Sequence, residues 1–245
     1  MNNNLIQHSL AGQSYGYSAA STDDLGSTEF TIITICVDGS SSVSPFKQEM
    51  EKCIQEVVKA CKYSPRSDYL LIRLVAFNSS MREIHGFKQL VDCDVDDYQN
   101  CINPCGCTAL YETARNAISS TNDYAKQLDS NDFECNAIVF IITDGEDNAS
   151  GGISADDVGS ALKEALREEA LESIISVLIG VGVGDYPSIG DSLNTFKDSA
   201  GMTQYIEIKD ANDKTLAKLA DFISKSVSSQ SNSIGTGGPS QTLTF

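Results

Sequence analysis

Five side chains in three separated segments of the 245-residue chain share one kind of chemistry. Asp38, Ser40 and Ser42 stand in TIITICVDGSSS, Thr108 in CGCTALYETA, and Asp144 in FIITDGEDN. All offer oxygen, which suits a hard divalent cation such as Mg²⁺, with Mn²⁺ or Ca²⁺ as alternatives. Only the two aspartates bring charge. A cation held mainly by neutral hydroxyls stays electron-poor and attracts a carboxylate from outside. Taken alone, Asp38 to Ser42 reads equally well as a polar turn capping the next helix. The metal reading rests on the three segments together.

Competing chemistries fit less well. A serine hydrolase needs a histidine, and the chain has two, His8 and His85. No Gly-x-Ser-x-Gly run surrounds Ser40 to Ser42, and no P-loop is present. An aspartyl-nucleophile phosphatase would carry a second acid where Ser40 stands. Gly180, Gly182 and Gly184 lack dinucleotide-loop spacing and read as close packing at a strand end. Eight cysteines occur, and Cys93, Cys101, Cys105 and Cys107 crowd into one stretch. Their spacing does not match paired zinc-ligand motifs, so reduced thiols are expected.

The elements that would position these residues alternate between strand and helix. Phe30–Val37, Tyr69–Phe77, Ala137–Thr143 and Ser173–Val183 are near-continuous apolar runs, as in strands buried on both faces. Met81–Leu90 reads as an antiparallel edge strand and Thr203–Ile208 as a short strand. Apolar residues at steps of three and four predict helices between them. These cover Phe46 to Cys61, Leu110 to Leu128, Ala155 to Leu171, Ser188 to Ala200, and Leu216 to Val227. The order predicts an α/β fold: a three-layer, Rossmann-like open sheet, mostly parallel, with helices on both faces. Ligands of such sheets bind beyond the carboxyl ends of strands, where Asp38 and Asp144 fall.

Residues 1–28 lack periodicity and read as a flexible or loosely docked arm; residues 229–245 read as a flexible polar tail. The ending TLTF could add a strand to a partner's sheet, although a disordered end is expected. Between them, residues 29–228 form one domain. The balance of 17 basic against 34 acidic residues gives a net charge of −17, which argues against nucleic acid and anionic membrane as partners. No apolar run is long enough to span a membrane, and no signal-like start is evident, so a cytoplasmic location is expected.

The DxSxS run at Asp38, Ser40 and Ser42, then Thr108, then the TDG run at Asp144, in this order on this alternating pattern, resembles a von Willebrand factor type A domain with a metal-ion-dependent adhesion site. The resemblance covers about residues 29–228. It implies that Ser40, Ser42 and Thr108 bind the metal, with Asp38 and Asp144 binding directly or through water. It implies a protein partner whose Glu or Asp completes the coordination sphere, and no catalysis. It also implies a role like that of stand-alone microbial members, which serve as adaptors beside AAA+ ATPases, metal chelatases or kinase–phosphatase stress systems. Where the family often has Gly-Gly-Thr, this chain has Gly106-Cys107-Thr108. Asp92, Asp94, Cys107, Glu146 and Asp147 are expected on the partner-binding rim. A subunit of a larger assembly and a metal-dependent phosphoesterase are the alternatives.

Overall fold

The computed structural model describes residues 5–210, 212–234 and 244–245. Its strands are β1 (Leu5–His8), β2 (Tyr17–Ala20), β3 (Glu29–Asp38), β4 (Leu70–Phe77), β5 (Met81–Gln89), β6 (Glu134–Thr143), β7 (Ile174–Val181) and β8 (Gln204–Ile208). Its helices are α1 (Lys47–Lys62), α2 (Leu110–Asp129), α3 (Ala155–Arg167), α4 (Pro187–Ala200) and α5 (Asp213–Ser231). The strands form a single sheet in the order β1-β2-β5-β4-β3-β6-β7-β8. Pairing is antiparallel at β1–β2 and β4–β5 and parallel elsewhere.

Strand β3 lies at the centre because both of its faces are apolar. Ile33, Ile35 and Val37 point into a core shared with α1 and α5, and Phe30, Ile32 and Cys36 into one shared with α2, α3 and α4. This is the two-residue alternation of a strand covered on both sides. The expected α/β fold is thus the observed one. Helix α3 starts at a capping box of Ser154 and Asp157. It ends four residues earlier than the apolar pattern predicts, and Glu169 beyond it has the left-handed φ of 58°.

Two expectations change at one edge. Met81–Gln89 is antiparallel to β4 as predicted, yet it is an interior strand, because β2 and β1 continue the sheet beyond it. Those strands come from the segment expected to be a flexible arm. The arm is held by polar contacts, which hydrophobic periodicity does not reveal. Arg73, 2% exposed, projects from β4, and its Nε donates to Glu83 Oε1 at 2.6 Å. Its other nitrogens donate to Ser120 Oγ at 2.7 Å, Asn116 Oδ1 at 3.3 Å and the Gly16 carbonyl at 3.3 Å. The Glu83 carboxylate accepts from the Ser18 hydroxyl at 2.6 Å. Tyr17 is buried against Phe87 and Tyr124, and its hydroxyl donates to Asp123 at 2.6 Å.

At the other end, α5 runs through residues 229–231 of the expected tail. Residues 235–243 of that tail lie outside the described residues. The Phe245 ring packs edge-on against Phe222 of α5 with centroids 5.9 Å apart. Among the described residues no helix is long and apolar enough to cross a membrane.

The Arg73 cluster generates a stability prediction. Arg73→Ala leaves Glu83 without its cation and Gly16 without its donor. It should destabilise the fold by about 3 kcal/mol, the usual scale for one half of a buried pair. Thermal melts test this, and hydrogen exchange should rise first in residues 5–20.

Candidate metal centre

The parallel register builds the site. Val37 of β3 pairs with Ile142 of β6, so Asp38 and Thr143 end their strands side by side. The Thr143 hydroxyl donates to Asp38 Oδ2 at 2.6 Å, and the Ser40 amide donates to Asp38 Oδ1 at 2.7 Å. Each carboxylate oxygen is fixed by one bond and keeps lone pairs to spare. The Ser42 hydroxyl donates to Asp144 Oδ1 at 2.9 Å, and its oxygen is 3.0 Å from Ser40 Oγ. Asp38, Ser40, Ser42 and Asp144 therefore form a continuous hydrogen-bonded run.

Thr108 joins them through the backbone. Its amide donates to Asn148 Oδ1 at 2.7 Å, and its carbonyl accepts from the Asn148 and Ala149 amides at 2.9 and 3.1 Å. A Cβ added at Gly145 would stand 3.9 Å from Thr108 Oγ1, so the hydroxyl faces the residue after Asp144. The structure thus gathers the residues that sequence placed at strand ends and a helix start.

Further hydrogen bonds tie the loops together. Gly39 N donates to the Phe77 carbonyl at 2.7 Å and Cys105 N to the Gly39 carbonyl at 2.9 Å. The Ser41 amide and hydroxyl both donate to the Gly106 carbonyl, at 3.2 and 3.1 Å. Gly106 has φ 72°, which favours glycine there. The approach to this loop is held by buried Glu51 of α1, which accepts from Ile102 N at 2.9 Å, and by Arg82, which donates to the Cys101 carbonyl.

Electrostatics favour a cation. Asp38 is fully buried, and burial pushes its carboxyl up to about 6. Bonds from Thr143 and Ser40 pull the other way, and the nearby Asp144 adds to the rise. Burial likewise raises Asp144. Among the described residues no ion pair involves either carboxylate. Two acids and three hydroxyls, with Asp38, Ser40 and Thr108 buried, offer only oxygen and fit a hard divalent ion. Ser42 is exposed and Asp144 half-buried, so the cluster opens to solvent on one side.

The expected rim divides. Cys107 and Glu146 are exposed beside the cluster. Asp147 instead caps α2, accepting from Tyr111 N at 3.1 Å and from the Ser150 hydroxyl. Asp92 and Asp94 do not belong to the rim. Strand β5 starts beside Phe77 and runs away from the site to Gln89, opposite Leu71, and the turn at Leu90–Asp92 packs near the turn before β4. Of the four clustered cysteines, Cys93 and Cys101 are buried while Cys105 and Cys107 are exposed. Among the described residues no three Cys, His, Asp or Glu side chains gather as metal ligands. Thr143, which orients Asp38, and Asn148, which holds Thr108, were not assigned from sequence. Both lie within the quoted run around Asp144; the role of Thr143 emerges from the register of β3 against β6, and that of Asn148 from the meeting of its loop with the segment before α2.

Burial without a counter-ion makes Asp38 destabilising once ionised. Its carboxyl titrates near 6 in the fold against 3.8 unfolded, so the fold binds the extra proton. In EDTA this contribution to stability is intact below about pH 4 and is lost as pH rises through about 6. Asp38→Asn should remove that loss and stabilise the metal-free protein near pH 7.5 by up to about 3 kcal/mol. Urea titrations of both proteins in EDTA from pH 4 to 7.5 check the sign.

Several solved structures share the fold. The PilB minor pilin from Streptococcus sanguinis superposes with a TM-score of 0.60 at 16% identity, over 90% of this chain and 66% of its own. Proximal thread matrix protein 1 from the mussel byssus gives 0.54 at 19% identity, over 82% of this chain and 47% of its own. A form of it has a zinc-occupied MIDAS motif. The pilus adhesin SpaC from Lactobacillus rhamnosus GG gives 0.58 at 8% identity, over 92% of this chain and 34% of its own. This chain spans less than two thirds of each of these structures. No curated protein matches it. The model of the von Willebrand factor type A domain matches residues 33–225, and with its sheet order and strand-end cluster the chain belongs to that family.

Proposed function

We propose that this protein is a metal-dependent interaction module. In this reading Asp38, Ser40, Ser42, Thr108 and Asp144 hold one divalent cation, directly or through water, and a partner protein supplies a Glu or Asp to it. The observation that carries the reading is the fully buried Asp38 beside the half-buried Asp144, neither in an ion pair among the described residues, linked through Ser40 and Ser42. The metal would supply a Lewis-acidic coordination position. The chain's own residues orient the ligands and shield one side from water. A donor set made only of oxygen favours Mg²⁺ or Mn²⁺ over Zn²⁺, which prefers nitrogen and sulfur.

Binding without catalysis is the role best supported. His8 stacks on Tyr17 at 4.8 Å. His85 is half-buried, with Nε2 3.0 Å from the Tyr98 hydroxyl and Nδ1 2.9 Å from the Gly86 carbonyl. Neither is bonded to the serines of the cluster. Six of the eight cysteines are buried, as small core side chains, which fits a reducing cytoplasm. We assign the protein an adaptor or regulatory role in a stress-response or ATPase-linked system, as the family resemblance suggests.

Two measurements test this. Calorimetric titration with Mn²⁺ or Mg²⁺ should show one site, weakened at least about tenfold in Ser40→Ala/Ser42→Ala. Partner capture from the native host should require the metal and be lost in EDTA and in the double variant. Equal capture in all conditions would refute the metal bridge.

A further inference from the structure

Six of the eight cysteines are buried, and burial raises their thiols, those of Cys36, Cys53, Cys61, Cys101 and Cys135 to about 12. Such thiols are poor nucleophiles. The two that are exposed, Cys105 and Cys107, flank Gly106 in the loop that leads into Thr108. Their loop is also the one that clamps the serine loop. Cys105 N bonds to the Gly39 carbonyl, and the Gly106 carbonyl takes both Ser41 bonds. Cys105 Sγ accepts from Asn78 Nδ2 at 3.1 Å, and Cys107 N donates to Ser79 Oγ at 2.9 Å.

We propose that Cys105 and Cys107 form an oxidisable thiol pair whose closure to a disulfide releases the loop carrying Ser40 and Ser42. The oxidant is hydrogen peroxide. One thiol gives up its proton, its thiolate attacks a peroxide oxygen, the O–O bond breaks, and the departing hydroxide takes that proton, leaving a sulfenic acid and one water. The second thiol likewise gives up its proton, its thiolate attacks the sulfenic sulfur, the S–O bond breaks, the S–S bond forms, and the departing hydroxide leaves with that proton as a second water. Two thiols lose two electrons, and the peroxide gains them. Drawing the sulfurs to about 2.05 Å closes a ring that contains the Gly106 carbonyl. Glycine has the freedom to reorient, and reorienting it takes the acceptor away from Ser41. Strained, exposed disulfides are the readily reduced ones, so the change is reversible by thiols.

The effect on metal binding rests on the reading in the preceding section, whereas the effect on the Ser41 amide does not. The experiment uses the full chain, reduced or treated with hydrogen peroxide and then freed of oxidant. Peptide mass mapping should show a loss of two hydrogens confined to Cys105 and Cys107. Hydrogen exchange at the Ser41 amide should accelerate at least about tenfold, and Mn²⁺ affinity should fall by a similar factor. Dithiothreitol should reverse both changes, and Cys105→Ser/Cys107→Ser should show neither. Oxidation at other cysteines, or a 105–107 disulfide with an unchanged Ser41 amide, overturns the proposal. Should the reduced protein bind no Mn²⁺, the metal reading fails, and mass and exchange still decide this one.

Discussion

The buried carboxylate of Asp38 is the constraint around which the upper end of this sheet is arranged. An aspartate at the end of the central strand, without solvent or a cation, is costly. The fold offsets part of that cost with the Thr143 hydroxyl and the Ser40 amide and leaves the remainder standing. Both donors depend on register. Thr143 reaches Asp38 because β3 and β6 pair without a slip, and a shift of one residue would turn it to the other face. The hydrophobic layers on the two sides of β3 fix that register. Core packing and site geometry are thus one problem in this molecule.

A second layer of dependence runs through the start of α2. The helix takes no side-chain cap from Ala109. Its first amides are met by Asp147 and the Ser150 hydroxyl, residues that follow Asp144. The segment that carries one acid therefore also caps the helix that follows the third hydroxyl. Movement of the helix start relative to the end of β6 would break these bonds together with those between Thr108 and Asn148. The site is built from loops, yet the loops are cross-braced to one another and to both neighbouring strands.

Much of this was legible in the sequence, for physical reasons that also explain the misses. Strands buried on both faces announce themselves as unbroken apolar runs, and β3, β4, β6 and β7 were all found. The five oxygen donors were visible because strand ends of an open parallel sheet share one edge. Asp92 and Asp94 were misplaced because an antiparallel strand carries the chain to the other end of the sheet. The N-terminal strands were missed because each has four residues, too few for periodicity. They are held by Arg73, Asn116 and Glu83, partners remote in sequence. One arginine in an apolar strand, Arg73, gives no sign in the sequence of where its donors go.

The Arg73 cluster also separates two ideas of a domain that usually coincide. Pattern places the start of the unit near residue 29, and the family model starts at residue 33. The folding unit starts earlier. Cut at either point, the chain would lose Tyr17 and Ala19 from the core that holds Phe87 and Tyr124. It would also strip Gly16 and Ser18 from a buried ion pair. The edge left behind would be β5, nine residues long, in place of the four-residue β1. Long bare edges invite pairing between chains. The arm therefore serves as a terminating cap on the sheet, and a fragment trimmed to the recognised family limits would be an aggregation-prone version of this protein.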